Sequence, residues 1–458
     1  MKKILVLGAG QSTPYLIEYL LEHAEEHDWF VTLGDADVDQ ARRRLRGHPR
    51  STAVLFDATD SEMRHAQIGG ADIVVNMLPA VYQMVIALDC IAYRTHMVSA
   101  SYEDVRLRDL DLDANRHGVL ILNECGLDPG IDHMSSMDVI SRIRSEGGRV
   151  TGFRSYGGGL PAPEFDANPL RYAITWNPRN VVMSGEGGST YLVDGKIKIV
   201  PFHEVFQRSW AVDVEGLGTM EAYPNRDSLY YRKLFGLADT STMIRATLRY
   251  PGWCETWLQL VKLGVPNENM RFPTMRGMTY RDLLEMFMPV HGGNGRLESR
   301  IAQYLGISPT GTIIQNLEWL GLFSDTPIPA GAHSVAEAMT RLLVDKLQLG
   351  SGDRDMVTIV HDIEAEFPED GRRRERVTST MVEYGEPGGH TAMSRTVGLP
   401  AGIATRLVLT GSLPLTGCQI PTHPTVYTRV LKELETLGIS FSERRAAIEA
   451  EPESGEGE

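Results

Sequence analysis

The stretch "KILVLGAGQST", residues 3–13, contains the first evidence for the fold. Its unbroken apolar run ends in glycines, which is typical of a buried parallel strand that turns directly into a helix. Gly8 allows the tight turn, and Gly10 lets a pyrophosphate approach the backbone at the helix N-terminus. Thr13 stands where the usual fingerprint has a third glycine, so an ordinary strand–helix turn stays open as the alternative.

The same alternation continues over the first 125 residues. Apolar runs at "WFVTLGD", "STAVLF", "ADIVVN", "HMVSAS" and "GVLILNE" are separated by segments with helical spacing. Strands that alternate with helices form βαβ units and a parallel sheet. The sequence therefore predicts an α/β fold with a Rossmann nucleotide-binding domain at its start.

After Gly147 the pattern changes to strand signals rich in Gly and Pro, with a hairpin predicted at Asp194-Gly195. Helical spacing dominates from about 252 to 350, and a second strand pair and two more helices follow. This order predicts an α+β sheet domain with an inserted all-helical domain, and a Rossmann domain that regains C-terminal helices. The predicted boundaries are 1–127 and 392–445 for the Rossmann domain, 128–252 and 353–391 for the β-sheet domain, 253–352 for the helical domain, and 446–458 for a disordered acidic tail.

The composition narrows the class of protein. A formal net charge of −15 over 458 residues argues against nucleic acid or an anionic membrane as the main partner. The four cysteines are far apart and form no CxxC motif, so neither a disulfide framework nor a zinc site is predicted. The apolar run at the start is too short for a signal peptide or a membrane span. We therefore expect a cytoplasmic protein without a metal.

Asp35 ends the second predicted strand in "VTLGDAD" and is the main indicator of the cofactor. An acid there binds the ribose hydroxyls of NAD and repels the 2′-phosphate of NADP, so NAD is favoured. Asp37 is an alternative for the same role. Asp57 ends the third strand, where it either contacts the adenine or caps a helix. "NMLP", residues 76–79, ends the fourth strand beside the expected nicotinamide.

Tyr102 and Asp128 follow the fifth and sixth strands, at the sheet edge where ligands bind. Asp128 is the first candidate for an acid/base group, and Tyr102 is the second. Arg226 lies in a Pro/Asn turn and Arg249 ends a strand, where each could bind a carboxylate. A structural salt bridge is the alternative for each arginine.

Asp128 belongs to "GLDPGIDHM", residues 126–134, which looks at first like a metal or acid/base cluster. The turn residues Pro129 and Gly130 separate its two carboxylates. Asp132 and His133 then open the next helix, with Asp132 expected to cap it. A metal site would need three converging ligands, and the sequence does not require one.

The motifs together resemble the glutamate-forming saccharopine dehydrogenase family, also called saccharopine reductase. The resemblance runs from Met1 to about residue 440, and the stand-alone fungal form is the most similar. It rests on "NECGLDPGIDHM", "YGGGLPAPE", "NPLRYAITWNPR", "YPNRDS", "ATLRYPG", "LEWLGLFSD", "RDMVTIVH" and "STMVEYG".

The resemblance implies an NAD(P)-dependent dehydrogenase of saccharopine, in which the β-sheet domain carries the substrate-binding and dimerisation surfaces of a homodimer. The implied saccharopine contacts are Ser101, Tyr102, Asp128, Arg226, Thr247, Leu248 and Arg249. The implied cofactor contacts are Gly8, Gly10, Gln11, Ser12, Thr13, Asp35, Ala36, Asp37, Asp57, Ala58, Leu78, Ser99, Ala100 and Asn177.

Two positions depart from the family pattern. The fungal enzyme is similar to an NADP user and has an arginine after its second strand. This chain has "GDAD" in the same stretch, which puts NADP use in doubt. Gly157 in "YGGG" replaces a cysteine, so a thiol cannot act there. Two alternatives stay open: a related imine-reducing enzyme of the carboxynorspermidine dehydrogenase or lysine 6-dehydrogenase type, and a non-catalytic dinucleotide-binding protein.

Overall fold

The computed structural model describes residues 1–290, 295–371 and 373–449. The chain divides into two compact units. Unit 1 comprises residues 1–150 together with the chain from residue 365 onward, and unit 2 comprises residues 151–364.

The elements are numbered in chain order. The strands are β1 (Lys2–Leu7), β2 (Trp29–Asp35), β3 (Ser51–Leu55), β4 (Ile73–Asn76), β5 (His96–Ser99), β6 (Leu120–Leu122), β7 (Arg149–Pro161), β8 (Ser189–Val193), β9 (Lys196–Val200), β10 (Trp210–Val214), β11 (Gly218–Pro224), β12 (Arg226–Asp227), β13 (Thr242–Arg249), β14 (Asp355–Phe367), β15 (Arg373–Tyr384), β16 (Gly417–Gln419) and β17 (Ser442–Ala447). The helices are α1 (Pro14–Glu22), α2 (Val38–Leu45), α3 (Ser61–Gly69), α4 (Gln83–Tyr93), α5 (Asp111–His117), α6 (Ile131–Ser145), α7 (Pro178–Val182), α8 (Leu229–Leu234), α9 (Trp253–Leu263), α10 (Tyr280–Glu285), α11 (Leu297–Leu305), α12 (Thr312–Leu320), α13 (Val335–Lys346), α14 (Ala392–Leu409) and α15 (Pro424–Thr436).

Unit 1 contains a parallel sheet in the strand order β16-β6-β5-β4-β1-β2-β3. β1 lies between β2 and β4, so the strand order reverses at the carboxyl end of β1. Such a switch point is where open α/β sheets bind their ligands. The predicted Rossmann fold is confirmed, and all six strands read from the first 125 residues are present.

The sheet of unit 1 is apolar because helices cover it. Ile4, Leu5, Val6 and Leu7 of β1 are at most 1% exposed, as expected for a central parallel strand. Helix α14 approaches α1 so closely that a Cβ on Gly398 would lie 2.7 Å from the backbone nitrogen of Leu16. The C-terminal helices therefore complete the core of unit 1.

Unit 2 is built on a mixed sheet in which β10, β11, β13, β7 and β14 lie side by side in that order. β13 runs parallel to β7 and antiparallel to β11. The hairpin of β8 and β9 turns at Asp194 and Gly195, whose φ angles of 48° and 73° fit the predicted two-residue turn. The predicted mixed sheet is confirmed.

Helices α9 to α13 follow β13 in the chain and belong to unit 2. Their segment was expected as a separate inserted domain, 253–352, and that three-domain division stays a prediction. Within the described ranges, no helix is both long and apolar enough to cross a membrane.

The predicted disordered tail, 446–458, lies outside the described residues from residue 450 onward. Its first two residues do not fit the prediction, because β17 pairs with β15 as far as Ala447. Arg142 and Arg445 hold this edge strand through ion pairs with Glu443 and Glu146. These charged side chains thus attach a short strand at the point where the tail was predicted to begin.

Candidate active site

The turn after β1 is shaped for close approach of a ligand to the backbone. Gly8 has a φ of 101°, and a Cβ there would meet the Met77 carbonyl oxygen at 3.0 Å, so only glycine fits. A Cβ on Gly10 would meet no atom, because Gly10 faces open space. Thr13 is 2% exposed and donates from Oγ1 to the Gly10 carbonyl at 2.9 Å. Thr13 therefore stabilises the turn from inside, where the usual fingerprint has glycine.

Asp35 ends β2 as predicted and is fixed against this turn. One carboxylate oxygen accepts the N–H of Ala9 at 2.7 Å, and the other accepts the N–H of Asp37 at 2.8 Å. A carboxylate oxygen has further lone pairs, so Asp35 can still accept ribose hydroxyls. The glycine turn and Asp35 together provide the amides and the acid that a nicotinamide dinucleotide requires.

The other predicted cofactor residues of unit 1 lie at the carboxyl ends of β1 to β5. Asp57 accepts two hydrogen bonds from Thr59, which hold the pKa of its carboxyl below the usual range. The cap of α3 is Asp60, so the helix-cap alternative for Asp57 is wrong. The remaining members of this set are Gln11, Ser12, Ala36, Asp37, Ala58, Leu78, Ser99 and Ala100.

Tyr102 and Asp128 come together in unit 1. The Tyr102 hydroxyl donates to Oδ1 of Asp128 at 2.5 Å, and both residues are partly exposed. Ser101 lies in the same loop after β5, where its N–H donates to Oγ of Ser99. The two loops that follow neighbouring strands thus place a phenol against a carboxylate, which is an arrangement that can hold and pass a proton.

Asp132 does not cap α6 in the predicted way. The N-cap position is Gly130, and Asp132 is the second residue of the helix. Its carboxylate reaches back to accept the Gly130 N–H at 2.7 Å. Gly130 has a φ of 148°, and a Cβ there would lie 2.0 Å from the Gly126 carbonyl oxygen. The close turn between Asp128 and the helix therefore requires glycine.

Arg249 ends β13 inside unit 2 and is 3% exposed. Aromatic rings surround its guanidinium, at 4.9 Å from Tyr172, 4.9 Å from Trp253 and 5.7 Å from Tyr223. Nη1 donates to the Leu248 carbonyl at 2.8 Å, whereas Nε has no hydrogen-bond partner among the described residues. No described carboxylate forms an ion pair with Arg249, so the salt-bridge alternative for this arginine is wrong.

A buried cation without a carboxylate is an exception among proteins, because buried charges are generally paired. The rings around Arg249 offset part of the cost through cation–π attraction. They leave the planar donors of the guanidinium available for a carboxylate that comes from outside the chain. The arrangement therefore leaves Arg249 as a candidate for binding a carboxylate.

The other predicted residues of unit 2 are spread over several elements. Thr247 lies directly opposite Tyr223 in the pairing of β13 with β11, beside Arg249. Arg226 opens β12 with a φ of 55° and is exposed. Asn177 accepts the N–H of Arg179 and caps α7. The Leu248 carbonyl accepts a hydrogen bond from Arg249, and the Leu248 side chain is buried in the core.

Sequence reasoning missed the aromatic residues around Arg249 and the polar residues near the glycine turn. Tyr172 comes from a distant segment, whereas Trp253 follows Arg249 by four residues, and "RYAITW" and "YPGW" carry a visible aromatic signal. Gln40 donates to the Ala9 carbonyl, and Nε of Arg44 lies 3.5 Å from the same oxygen. Their spacing of four residues places both on one face of α2, which the sequence pattern could have indicated.

Two family models match this chain. The saccharopine dehydrogenase NADP binding domain matches residues 4–122, and the saccharopine dehydrogenase C-terminal domain matches residues 126–439. Together they extend over both units.

Named relatives are similar along nearly the whole chain. The saccharopine dehydrogenase [NADP(+), L-glutamate-forming] of Saccharomyces cerevisiae is 30% identical, over 97% of this chain and 100% of its own. The mitochondrial alpha-aminoadipic semialdehyde synthase of Bos taurus is 31% identical over 96% of this chain but only 47% of its own length. This chain thus spans about half the length of the mammalian relatives that it matches.

A solved structure has the same fold. Apo saccharopine dehydrogenase (L-Glu forming) from Saccharomyces cerevisiae superposes with a TM-score of 0.85 at 29% identity. The match includes 98% of this chain and 100% of the yeast chain. The likeness therefore applies to the full architecture and not only to the nucleotide-binding sheet.

Proposed function

We propose, since this chain belongs to the saccharopine dehydrogenase family, that it catalyses the glutamate-forming oxidation of saccharopine. Saccharopine, water and the oxidised nicotinamide coenzyme interconvert with L-glutamate, 2-aminoadipate 6-semialdehyde and the reduced coenzyme. Fungal relatives of matching length are named for this reaction, which supports the proposal. The protein is then an NAD(P)-dependent oxidoreductase that acts on the CH–NH group of a secondary amine in lysine metabolism.

The observation that carries the proposal is the buried, carboxylate-free guanidinium of Arg249. Saccharopine has three carboxylates, and a bidentate pair with Arg249 would supply the missing counter-charge. An exposed arginine at Arg226 is the second candidate for a substrate carboxylate. A protein that only bound a dinucleotide would have no use for the unpaired cation in unit 2.

Tyr102 and Asp128 supply the proton transfers. A bound nicotinamide would supply the hydride acceptor for the carbon beside the secondary amine. The nitrogen loses its proton as the imine forms, and the addition of water followed by C–N cleavage releases glutamate and the semialdehyde. Asp128 takes the proton in this proposal, and the Tyr102 hydroxyl, 2.5 Å away, orients the carboxylate and shares the proton.

NAD is the preferred coenzyme in this proposal, because a 2′-phosphate would meet the carboxylate of Asp35. NADP is the second candidate, since the family model that matches unit 1 is named for NADP. Arg44 also favours a phosphate. Burial lowers the pKa of its guanidinium, and so do the neighbouring charges of Arg43 and Arg46, which indicates a concentration of positive charge near the glycine turn.

Steady-state oxidation of saccharopine with each coenzyme separates these candidates. We expect a higher kcat/KM with NAD than with NADP. Asp35→Ser should shift the ratio of these two values toward NADP by about 10-fold or more, because it removes a repulsion between the carboxylate and the 2′-phosphate of more than about 1.4 kcal/mol. Arg44→Ala is the matched control, and it should reduce use of NADP alone. A clear NADP preference in the unmodified enzyme contradicts the Asp35 argument.

The absorbance of reduced nicotinamide, followed with saccharopine as substrate, tests the reaction itself. Reduction of either coenzyme with release of glutamate is the expected result. Reduction with carboxynorspermidine or lysine but not with saccharopine would favour the related imine-reducing enzymes. Coenzyme binding without turnover of any of these amines would favour a non-catalytic dinucleotide-binding protein.

The homodimer and the cytoplasmic location stay predictions. Light scattering of the purified chain tests the first, and a mass of one chain at working concentration would contradict it. Fractionation of cells that express the full-length gene product tests the second.

A further inference from the structure

Unit 1 contains a buried group of titratable side chains next to the residues proposed to carry the chemistry. This group, which we name the 124–133 cluster, consists of Glu124, Asp132 and His133. Nε2 of His133 lies 2.8 Å from Oε2 of Glu124, and Nδ1 lies 3.2 Å from Oδ2 of Asp132. The three side chains are between 1% and 4% exposed. The proposed reaction does not use them directly.

Each carboxylate of the cluster also binds a backbone amide with its other oxygen. Oε1 of Glu124 accepts the N–H of Glu103 at 3.0 Å, and Oδ1 of Asp132 accepts the N–H of Gly130 at 2.7 Å. Glu103 lies in the loop after β5, and Gly130 lies in the loop after β6. His133 therefore stands between two carboxylates that each fix one loop.

These two loops carry the proposed acid/base pair. Tyr102 is adjacent to Glu103, and Asp128 lies two residues before Gly130. The two loops are also joined by the backbone of Glu124, whose N–H donates to the Ser101 carbonyl at 3.2 Å. A shift in either loop would separate the Tyr102 hydroxyl from the Asp128 carboxylate.

The geometry explains why the central residue is a histidine. Its two ring nitrogens each lie at ion-pair distance from one of the buried carboxylates of Glu124 and Asp132. Glu124 also has a φ of 60°, a conformation that residues with side chains rarely adopt and that needs support from its surroundings. The imidazole of His133 contacts both carboxylates at once and supplies that support.

We propose that His133 is a positioning residue for the reaction, which joins Glu124 to Asp132 and so fixes the loops that hold Tyr102 against Asp128. Its kinetic consequence rests on the proposed function, whereas its effect on the two loops does not. His133 acts through the backbone amides of Glu103 and Gly130, which Glu124 and Asp132 bind.

The first experiment compares His133→Gln with His96→Gln in the full chain. His96 opens β5 at the opposite end from Tyr102 and accepts the N–H of Leu120, a role that glutamine can keep. We expect His133→Gln to lower kcat about 10- to 100-fold, since misplacement of reacting groups by about 1 Å costs that much. The coenzyme KM should stay within about 2-fold, and His96→Gln should leave both values unchanged.

A double-mutant cycle distinguishes positioning from a general structural role. If His133 acts through Asp128, then His133→Gln should add less than about 2-fold to the loss already caused by Asp128→Asn. Effects that multiply in the double variant would overturn the proposal. An unchanged kcat in folded His133→Gln would overturn it as well.

Hydrogen exchange provides a readout that does not need activity. Peptides that contain Glu103 and Gly130 should exchange faster in His133→Gln than in the unmodified chain, while β1 stays equally protected. If the unmodified chain fails to oxidise saccharopine, the proposed function fails, and this measurement still tests the loops. If His133→Gln does not fold, Glu124→Gln takes its place, and unchanged exchange in either folded variant would overturn the inference.

Discussion

Replacement of Arg249 by methionine should separate stability from activity. The buried guanidinium has aromatic neighbours and one backbone acceptor, but no described carboxylate compensates its charge. Methionine has a similar length, and its sulfur can pack against the same rings. The change therefore removes an uncompensated buried charge together with a donor group for a substrate carboxylate.

The effects on activity and on stability should differ in size. Loss of a bidentate, desolvated charge pair with the substrate should cost about 2 to 5 kcal/mol, which is roughly a 30- to 5,000-fold fall in kcat/KM for saccharopine. The free energy of unfolding should change by less than about 2 kcal/mol, because the desolvation cost removed offsets the lost cation–π contacts. Arg249→Lys keeps the charge but loses the planar pair of donors, so its kcat/KM should lie between those of the unmodified enzyme and Arg249→Met.

Arg154→Met is the matched control. Arg154 lies on β7 of the same unit and forms ion pairs with Glu364 at 3.0 Å and Asp362 at 4.0 Å. Its replacement breaks both ion pairs, so unfolding should become easier by about 1 to 3 kcal/mol, while kcat/KM should stay within about 3-fold of the unmodified enzyme. Urea unfolding and steady-state kinetics on each variant supply both quantities.

The opposite pattern would refute the reasoning. If Arg249→Met kept kcat/KM within about 3-fold, Arg249 would not bind a substrate carboxylate. If its stability fell by more than about 4 kcal/mol, the guanidinium would be a structural cation whose partner lies outside the described contacts, by the usual cost of breaking a buried pair.

Three further outcomes follow from named contacts. Asp128→Asn should lower kcat by about 10²- to 10⁴-fold with an unchanged coenzyme Kd in a fluorescence titration, and undiminished turnover would remove Asp128 from the acid/base role. Burial raises the pKa of all four cysteine thiols. A maleimide should therefore leave the native enzyme unlabelled and active at about pH 8, whereas rapid labelling detected by mass spectrometry would contradict the burial of the thiols. Arg142 and Arg445 hold the pKa values of Glu443 and Glu146 below the usual range. The stabilisation of β17 is therefore complete above about pH 4.3 and lost as the pH falls through the lower folded values, and exchange protection of residues 442–447 should fall before that of β1.

The sequence predicted the parallel sheet of unit 1 because its signals are local. Apolar runs of strand length and helical spacing between them depend on neighbouring residues alone, and a parallel sheet fixes which ends of the strands meet. Asp35, Tyr102 and Asp128 could therefore be placed at one edge of the sheet before any coordinates. Strand β16 reads "GCQ", without the apolar run that revealed the equally short β6, and was missed.

The structure alone decided the electrostatic partners. Whether Arg249 forms a salt bridge or remains without a carboxylate depends on segments as distant as that of Tyr172, and no local pattern encodes the approach of that ring. The same holds within "GLDPGIDHM", where the sequence separated Asp128 from Asp132 and His133 correctly but left the last two as ordinary helix residues. The contact of His133 with Glu124 and Asp132 depends on the path of the chain after β6. Tertiary packing brings charged side chains to ion-pair distance, whereas short-range periodicity largely determines strands and helices.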